Sequence, residues 1–412
     1  MKWITDIENE IAGWLGSPEA LRTASAALRS AMPIAALDQR VLVSRYDDVV
    51  AVLADDAHFG VTETYAHKMD RTTGAFFLGM ENTAQYQREA GIARRAVRND
   101  DGARILSLVE SETRELLRAA HARGGKLDGV AEYSHLVPLG LVARYLGVPG
   151  PDPDTMKQWM RSIFWDIFLN PTDDAAVSQR AEAASAALRP YLTSLVQERK
   201  RALAKGEDAA DDFVGRLLRE QAADATIDDD LVVRNIGGVI VGAVDTQSKA
   251  FAQALDQLLR RPAALAEAQR AARMGDDARI RAHVWEALRF NPHNPALFRT
   301  CHEDTVLAAG TPRATRIAKG AQVVALTISA MFDGEAFERP DEFLADRPLD
   351  RYLHFGHGMH TCFGAHINAL VLPAMMKPIL LLENLGYAGD RPSLDYEGPF
   401  PNRMPLAFDV AV

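Results

Sequence analysis

The hydrophobic positions of this chain recur mainly with a helical period. From about Asp101 onward, apolar residues return every three or four positions among abundant Ala, Leu, Arg and Glu, as in amphipathic helices. A short strand is predicted at 41–44, followed by a helix at 47–53 that opens on paired aspartates. Gly and Pro interrupt the pattern, for example at 147–151. The pattern predicts a mainly α fold with small β-sheets, an α+β chain.

The longest predicted helix runs from Thr226, the expected N-cap, to Arg260, just before Pro262. A helix of this length spans about 50 Å. Its middle, 236–244, is apolar and rich in small residues, and Asp245 and Thr246 follow at once. This pair is either a solvent-facing turn, in which the threonine bonds back to a carbonyl one turn earlier, or a buried polar pair that needs partners.

The segment Phe355 to Gly364, FGHGMHTCFG, places Cys362 among three glycines. Glycine allows positive φ and close approach of the backbone. The apolar run 367–372 predicts a helix whose N-terminus points back at the cysteine and favours a thiolate. A thiolate in an apolar setting is a ligand for soft or borderline metals, haem iron among them.

Two other interpretations of this segment remain open from the residues alone. Zinc prefers His and Cys ligands, which are present here at His354, His357, His360, Cys362 and His366. The spacing, however, lacks the paired Cys-x-x-Cys or His-x-x-x-His arrangement of structural zinc sites. The cysteine is otherwise a buried free thiol, a common fate in intracellular proteins.

Composition narrows the class of protein. The chain has 412 residues, 48% hydrophobic and 25% charged, and only two cysteines, as in a soluble globular protein from a reducing compartment. Residues 1–8 lack the apolar core of a signal peptide, and no apolar run reaches bilayer length. The net charge of −10 argues against nucleic-acid or anionic-membrane partners. We expect a cytoplasmic protein with a single domain, 1–412.

Taken in order along the chain, these motifs are similar to those of the cytochrome P450 family of haem-thiolate monooxygenases. The family's haem loop, Phe-Gly-x-Gly-x-His-x-Cys-x-Gly, is matched by Phe355, Gly356, Gly358, His360, Cys362 and Gly364. Its Glu-x-x-Arg pair is matched by Glu286 and Arg289, and its acid-alcohol pair by Asp245 and Thr246. Two further segments resemble the family's meander and its first sheet, at 337–343 and 43–49. The resemblance covers nearly the whole chain.

The resemblance implies a cytochrome P450 fold, with a long central helix over haem b (iron protoporphyrin IX) and the cysteine loop beneath it. It implies that Cys362 is the axial iron ligand and that Phe355 shields the haem. Propionate contacts are implied for His360 and Arg299. Further contacts with the cofactor are expected at Gly356, Gly364, Ala243, Arg94 and Arg95. Glu286 and Arg289 are expected to be structural, tying their helix to the meander.

The implied reaction is dioxygen activation with two electrons from NAD(P)H, passed on by a ferredoxin- or flavodoxin-type partner. Asp245 and Thr246 are expected to deliver protons. We expect a monomer that hydroxylates, or O- or N-dealkylates, a small apolar or aromatic molecule in secondary metabolism. The expected pocket residues are Phe76, Phe77, Phe164, Trp165, Phe168, Leu297 and Phe400. Asp166 is either an anchor for an amine or, as we expect, a solvated residue at a helix edge.

Alternatives within the same resemblance are oxidative coupling, desaturation and peroxide-driven chemistry, or a non-enzymatic haem scaffold or gas sensor. The acid-alcohol pair favours dioxygen use. The chain departs from the family where Gly242-Ala243 replaces the usual Ala-Gly, and where 368–371 lacks the usual arginine and glutamate. The early-helix His-x-x-x-Arg contact has no clean counterpart, although Tyr86 is a candidate. Cys301 is expected to be a structural thiol.

Overall fold

A computed structural model describes residues 18–207, 210–389 and 394–410. Residues 1–8, where we expect no signal peptide, lie outside this range. The described α-helices in chain order are α1 (Pro18–Ala31), α2 (Tyr46–Ala54), α3 (Thr62–Arg71), α4 (Ala84–Ala96), α5 (Gly102–Ala122), α6 (Leu136–Arg144), α7 (Pro153–Leu169), α8 (Ala175–Ala204), α9 (Phe213–Ala223), α10 (Asp229–Val241), α11 (Val244–Leu259), α12 (Pro262–Met274), α13 (Asp277–Phe290), α14 (Thr327–Ala330) and α15 (Ala365–Leu380). Helices dominate the chain, as the hydrophobic pattern predicts.

The described strands are short. They are β1 (Ile34–Leu37), β2 (Arg40–Val43), β3 (Phe59–Gly60), β4 (Lys126–Asp128), β5 (Leu297–Cys301), β6 (Thr305–Leu307), β7 (Thr315–Ile317), β8 (Gln322–Ala325), β9 (Gly386–Tyr387), β10 (Asp395–Glu397), β11 (Phe400–Arg403) and β12 (Pro405–Ala407). The predicted strand at 41–44 corresponds to β2, and the predicted helices at 47–53 and 367–372 correspond to α2 and α15.

The contacts between residues divide the chain into two compact units. The first unit comprises 1–64 and 253–365. Its five-stranded sheet has the order β1-β2-β8-β5-β3, in which β2 and β8 are parallel and the other pairs antiparallel. Apolar side chains from this sheet, α1 and the chain around α14 form a buried core that includes Leu28, Leu42, Phe298 and Val324. This core supports β5, the strand that carries Arg299.

The second unit comprises 65–252 and 366–412 and is largely helical. Its small sheets are β4-β12-β9 and the antiparallel pair β10-β11. Helices α7, α8 and α10 pack against one another in this unit. The prediction of a single domain stays a prediction. Among the described residues, no helix is both long and apolar enough to cross a bilayer.

Aspartates begin many of the helices. The side chains of Asp152, Asp174, Asp212, Asp228 and Asp276 each accept a hydrogen bond from the amide three residues further on, which satisfies a donor that the first helical turn leaves unpaired. For α10 the N-cap is therefore Asp228, and the prediction of Thr226 as the cap is wrong. Thr226 instead donates its hydroxyl to Asp224.

The central helix is divided into α10 and α11, so the prediction of one continuous helix is wrong. Gly242 and Ala243 form a turn between the two parts, and the Ala243 amide bonds to the carbonyl of Ile240, three residues back. The Thr246 hydroxyl donates to the Gly242 carbonyl at 2.6 Å. A threonine that bonds back in this way competes with the backbone ladder and bends helices.

Candidate active site

The cysteine loop is closed by backbone hydrogen bonds. The Cys362 amide donates to the Phe355 carbonyl at 2.9 Å, and the Cys362 carbonyl accepts from the Ala365 amide at 3.1 Å. The Gly356 amide donates to the Leu353 carbonyl at 3.1 Å. The cysteine backbone is thus fixed on both sides, directly before α15.

Two glycines of the loop have conformations that other residues rarely adopt. Gly356 and Gly358 both have φ of +73°. A Cβ added to Gly358 would collide with the carbonyl of Leu53 and with Ala54 at the end of α2. A Cβ on Gly356 would lie 3.4 Å from the Leu297 side chain. The loop therefore needs glycine at 358 both for its backbone angle and for its packing.

Cys362 as a residue is exposed to solvent in this structure. The protein atoms around its sulfur nevertheless desolvate the thiol. Burial raises the pKa of the Cys362 thiol, and the backbone amide of Gly364 partly opposes this by hydrogen bonding to the sulfur. Loss of the thiol proton here thus needs a compensating positive charge. A bound metal ion supplies such a charge and deprotonates a coordinating thiol.

The phenyl ring of Phe355 lies against Trp285, with ring centroids 5.6 Å apart. The neighbouring His354 donates its Nε2 proton to the Trp285 carbonyl, 2.8 Å away, and burial lowers the pKa of His354 to about 4. His357, by contrast, is exposed. Within the described parts of the chain, no three ligands of this loop lie close enough to share a metal ion. The zinc interpretation therefore has no structural support.

Glu286 and Arg289 form a fully buried ion pair on α13, each with a side chain 0% exposed. Arg289 donates to Glu286 at 2.7 and 2.9 Å. Its guanidinium also donates to the carbonyls of Pro340 and Glu342 at 2.7 and 3.0 Å. Arg289 thereby connects α13 to the segment 337–343, which forms turns rather than a helix or strand.

Glu286 collects several further donors. The Leu344 amide, the Arg347 guanidinium and the Tyr352 hydroxyl donate to it at 2.8, 3.2 and 2.8 Å. Burial works against the charge of Glu286, but the hydrogen bonds and charge of Arg289 outweigh it and lower the pKa of this carboxyl. Motif reasoning identified the pair, but it missed Arg347 and Tyr352, which lie about 60 residues away at separations of 61 and 66.

Between residues 235 and 248, one face of the divided central helix is partly accessible and the other positions are buried. The accessible residues on this face are Gly238, Val239, Gly242, Ala243 and Thr246. Positions spaced by three or four lie together on a helix. A Cβ on Gly242 would meet nothing closer than 3.7 Å. The face is therefore lined by mostly small residues and is open at Gly242, whereas Phe76 covers Gly238, and the Thr246 hydroxyl lies near its end.

The donor set of the cysteine loop fits a haem group. The donor of the loop is a single accessible cysteine sulfur whose proton a metal would displace, and thiolate is a known axial ligand of haem iron. In the second unit, considered by itself, residues 238–246 offer a partly accessible face of mostly small residues, the kind of surface that a flat ligand needs.

Asp245 is buried and does not belong to the partly accessible face of α10 and α11. Its carboxylate is 1% exposed, and Oδ1 accepts from Arg161 Nε at 3.0 Å and lies 3.3 Å from His135 Nε2. Thr246 donates to Gly242 instead. Among the described hydrogen bonds, none joins the two predicted relay residues. The interpretation of the pair as a solvent-facing turn is wrong for Asp245, although Thr246 does bond back one turn.

Lys249 is another buried charged residue near Asp245, and the sequence did not lead us to predict it. It is 4% exposed and lies one turn after Asp245 on α11. Burial lowers the pKa of Lys249 to about 7, and the Asp245 carboxylate partly opposes this. The sequence signal for Lys249 was its position four residues after an aspartate on the predicted central helix. Arg161 and His135 carry no such local signal.

We expect Lys249→Met to stabilise the protein. Because the pKa of Lys249 is below its ordinary value of 10.5 in the folded state, the unfolded chain binds more protons between about pH 7 and pH 10. The cost of burying Lys249 is then full near pH 7 and is relieved as the pH rises. The substitution should raise the free energy of unfolding by roughly 2–4 kcal/mol at pH 7 and by much less at pH 10. Urea unfolding at both pH values measures this difference, and an equal gain at both would contradict it.

The predicted pocket residues of the second unit form two aromatic groups. On α7, Phe164 and Trp165 lie near Phe400, with ring centroids 6.3 and 5.8 Å away, and Phe168 lies 4.9 Å from Phe164. Trp165 and Phe168 are partly accessible.

In the second group, Phe76 packs against Phe77, with ring centroids 4.1 Å apart and ring planes tilted by 42°. Phe76 also covers Gly238, where any Cβ would collide with its ring. In the first unit, Leu297 is partly accessible beside Gly356. These residues offer apolar surface on several elements.

The expectation of a solvated Asp166 is wrong. Asp166 is 0% exposed and takes hydrogen bonds from Arg71 to both carboxylate oxygens, at 2.8 to 3.0 Å. Ser178 and Asn170 complete its partners, at 2.8 and 2.9 Å. A buried carboxylate that is already paired with a guanidinium links α3, α7 and α8, and it is not available to anchor an amine.

The predicted propionate contacts have different surroundings. Arg299 is 4% exposed and donates to the Phe298 carbonyl at 2.8 Å, and His360 is partly buried. Arg95 is exposed and paired with Glu220 at 2.6 Å, whereas Arg94 donates to Tyr86 at 3.3 Å. Of the two helix arginines, Arg94 is thus the better candidate, and all four assignments stay predictions.

Comparison with known proteins places the chain in a family. A family model described as Cytochrome P450 matches residues 152–382, more than half of the chain. The chain is 27% identical over 334 residues to Erythromycin C-12 hydroxylase of Saccharopolyspora erythraea, which covers 80% of this chain and 78% of that protein. It is 26% identical over 344 residues to Mycinamicin IV hydroxylase/epoxidase of Micromonospora griseorubida, with 82% and 81% covered.

The fold agrees with solved structures. The crystal structure of CalO2 matches with a TM-score of 0.81 at 23% identity, covering 95% of this chain and 96% of that one. Fold and site define a haem-thiolate enzyme, and the chain belongs to the cytochrome P450 family. It is a monooxygenase that uses haem, dioxygen and electrons from a redox partner.

Proposed function

We propose that this monooxygenase hydroxylates, or O- or N-dealkylates, a small apolar or aromatic molecule, and that Thr246 and Asp245 deliver protons for oxygen activation. The observation that carries the proposal is the accessible face of α10 and α11, where the Thr246 hydroxyl lies at the end of a row of small residues. A hydroxyl is the simplest group that can both accept and donate a proton there.

In this proposal Cys362 holds the haem iron, and Phe355 and Trp285 limit access of water to the sulfur. The bound haem supplies the oxygen activation that a thiolate ligand promotes. His360, Arg299 and Arg94 would orient the haem propionates, because imidazole and guanidinium groups suit carboxylates. Gly356, Gly364 and Ala243 are small and would allow the haem to approach the backbone closely.

Thr246 Oγ1 already donates to the Gly242 carbonyl, so its lone pairs remain available to accept a hydrogen bond on the open face. Asp245 must turn away from Arg161 to exchange a proton with that hydroxyl or with a water beside it. The ion pair between Arg161 and Asp245 therefore keeps the carboxylate away from Thr246. The proposal requires this ion pair to open during proton delivery.

The partly accessible Trp165, Phe168 and Leu297 support an apolar or aromatic substrate. The names of the two relatives, a hydroxylase and a hydroxylase/epoxidase, support an oxidation in secondary metabolism. The proposal includes a ferredoxin- or flavodoxin-type electron donor and a monomeric, cytoplasmic enzyme, consistent with the net charge of −10 and two cysteines.

Screening apolar and aromatic compounds for a low- to high-spin shift of the haem iron tests the substrate class. A response confined to small polar compounds would contradict it.

We expect Thr246→Ala to divert electrons from product to hydrogen peroxide. Removing the hydroxyl removes a proton carrier without adding bulk, so the peroxide yield per oxygen consumed should rise by roughly an order of magnitude. Thr246→Ser keeps the hydroxyl and is the matched control. The measurement uses a surrogate ferredoxin system and a compound from the spin-state screen. An unchanged peroxide yield in the alanine variant removes Thr246 from the relay.

A further inference from the structure

The loop at 72–76, which follows α3, is fastened to two neighbouring helices through its own backbone carbonyls. Ser185 and Arg189 of α8 donate to its first two carbonyls, at 2.6 and 2.9 Å. Arg234 of α10 donates to its fourth carbonyl. A loop carbonyl has no partner from a helix or a sheet, so these three side chains fix the path of the loop.

Gly74, in the middle of this loop, lies directly against the two arginines. Its φ is +87°, an angle that side chains rarely permit. A Cβ added to Gly74 would lie 2.7 Å from Arg189 Nη1 and equally close to the Cγ and Cδ atoms of Arg234. The loop therefore needs glycine here both for its backbone angle and to make room for the two side chains.

Acidic side chains hold the two arginines in place. The Arg234 guanidinium donates to Glu89 at 3.1 and 3.4 Å, and the two side chains are only 14% and 4% exposed. Asp230 accepts from Arg234 at 2.7 Å and from Arg189 at 3.2 Å. Because a buried carboxylate without a partner is costly, Glu89 fixes the guanidinium that reaches the loop.

The last residue of the loop, Phe76, seals one end of the partly accessible face of α10 and α11. Phe76 is 4% exposed, and a Cβ at Gly238 would lie 2.3 Å from its ring. Gly238 follows Arg234 by four residues, so the same side of α10 holds the loop and receives the ring. Thr246 lies at the other end of the face, roughly 12 Å further along at the rise of a helix.

We propose that Arg189 and Arg234 are positioning residues for substrate selection, which hold Phe76 as the end wall of this face and thereby limit the length of the substrate. The inference rests on the apolar or aromatic substrate proposed above and deepens it, since the molecule must be short enough to fit between Phe76 and Thr246. Without the ring, about one more turn of α10, roughly 5.4 Å, would become available to a ligand.

A series of 1-alkylimidazoles of increasing chain length tests the end wall without any turnover. The imidazole nitrogen binds the haem iron and shifts the Soret band, and the alkyl chain extends over the apolar face. In the wild type the affinity should rise about fourfold for each added methylene, and the rise should stop where the chain meets Phe76. In Phe76→Ala the stop should move to chains several carbons longer.

The failure of this inference can be told apart from the failure of the proposed function. A stop that stays at the same chain length in Phe76→Ala, while short imidazoles still shift the Soret band, overturns the end wall and leaves the proposed function intact. A protein in which no imidazole shifts the Soret band overturns both.

Arg189→Met and Arg234→Lys test the two positioning residues. Lysine keeps a charge beside the buried Glu89 but offers one nitrogen in place of three, so the fold is preserved while the loop is held less firmly. In both variants the stop should move to longer chains. Lys200→Met is the matched control, because Lys200 also joins α8 to α10, through Asp229 at 2.6 Å, and it should keep the wild-type stop.

Amide hydrogen exchange gives a second measurement that does not depend on a ligand. Peptides that cover 72–79 should exchange several-fold faster in Arg189→Met and Arg234→Lys than in the wild type, since fewer bonds hold the loop. Lys200→Met should exchange as the wild type does. Wild-type exchange in both arginine variants overturns the inference. A loss of imidazole affinity that is equal at every chain length, with the stop unmoved, marks a merely structural role and overturns it as well.

Discussion

Cys362→Ser should abolish the red-shifted Soret band that the reduced, carbon monoxide-bound protein shows with a thiolate ligand. The backbone of residue 362 is fixed by hydrogen bonds to Phe355 and Ala365, so serine should occupy the same position with little change in the loop. A serine hydroxyl is a far weaker donor to iron than a thiolate. Monooxygenase activity should fall by more than about 100-fold, the upper range for loss of an outer-shell group alone.

Cys301→Ser is the matched control for this experiment. Cys301 is 1% exposed, and its thiol donates to the Glu303 carbonyl at 3.0 Å, a bond that serine can keep. Burial raises the pKa of Cys301, as expected for an inert structural thiol. The control should retain the Soret band and the activity. A Cys362→Ser protein with an unchanged visible spectrum would require another residue to bind the iron.

The sequence predicted the elements whose signals are local. The glycine spacing of 355–364 predicted a tight loop, and the apolar run after it predicted α15, because backbone angles and hydrophobic periodicity act over a few residues. The central helix was predicted without its division at Gly242. That division depends on a side-chain bond from Thr246 to a carbonyl one turn earlier, which competes with a regular helix in a way that composition does not reveal.

The two buried acids, Asp166 and Asp245, form ion pairs with arginines that are distant in sequence. Asp166 was expected to be a solvated residue at a helix edge, yet it pairs with Arg71, which lies 95 residues earlier in the chain. Asp245 likewise pairs with Arg161, 84 residues earlier. A lone acid in an apolar helix indicates that a partner exists, since an unpaired buried charge is very costly. The identity of that partner depends on tertiary packing.

Glu286→Gln should give little folded, haem-loaded protein. The substitution keeps the shape of the side chain but removes the only charge that the structure places between Arg289 and Arg347 within this described network. Breaking one side of a buried pair costs about 3–5 kcal/mol, because the remaining charge stays buried without compensation. Both oxygens of Glu286 accept hydrogen bonds, so the NH2 group of glutamine would also face donors at one of the two positions, and hydrogen bonds are lost together with the charge.

Glu342→Gln separates this effect from the loss of any nearby acid. The Glu342 side chain forms a surface pair with Arg339 at 3.0 Å, both 56% exposed, while its carbonyl accepts from Arg289. The control removes the surface pair, worth at most about 1 kcal/mol, and keeps the carbonyl contact. Haem absorbance per protein and urea unfolding measure both variants.

Because Glu286 has a lowered pKa, its contribution to the free energy of unfolding is present at neutral pH and disappears as the pH falls through that pKa. The difference between the two variants should therefore shrink in acid. A Glu286→Gln protein as stable and as haem-loaded as the Glu342→Gln control would mean that the charge at 286 does not hold α13 to the segment 337–343.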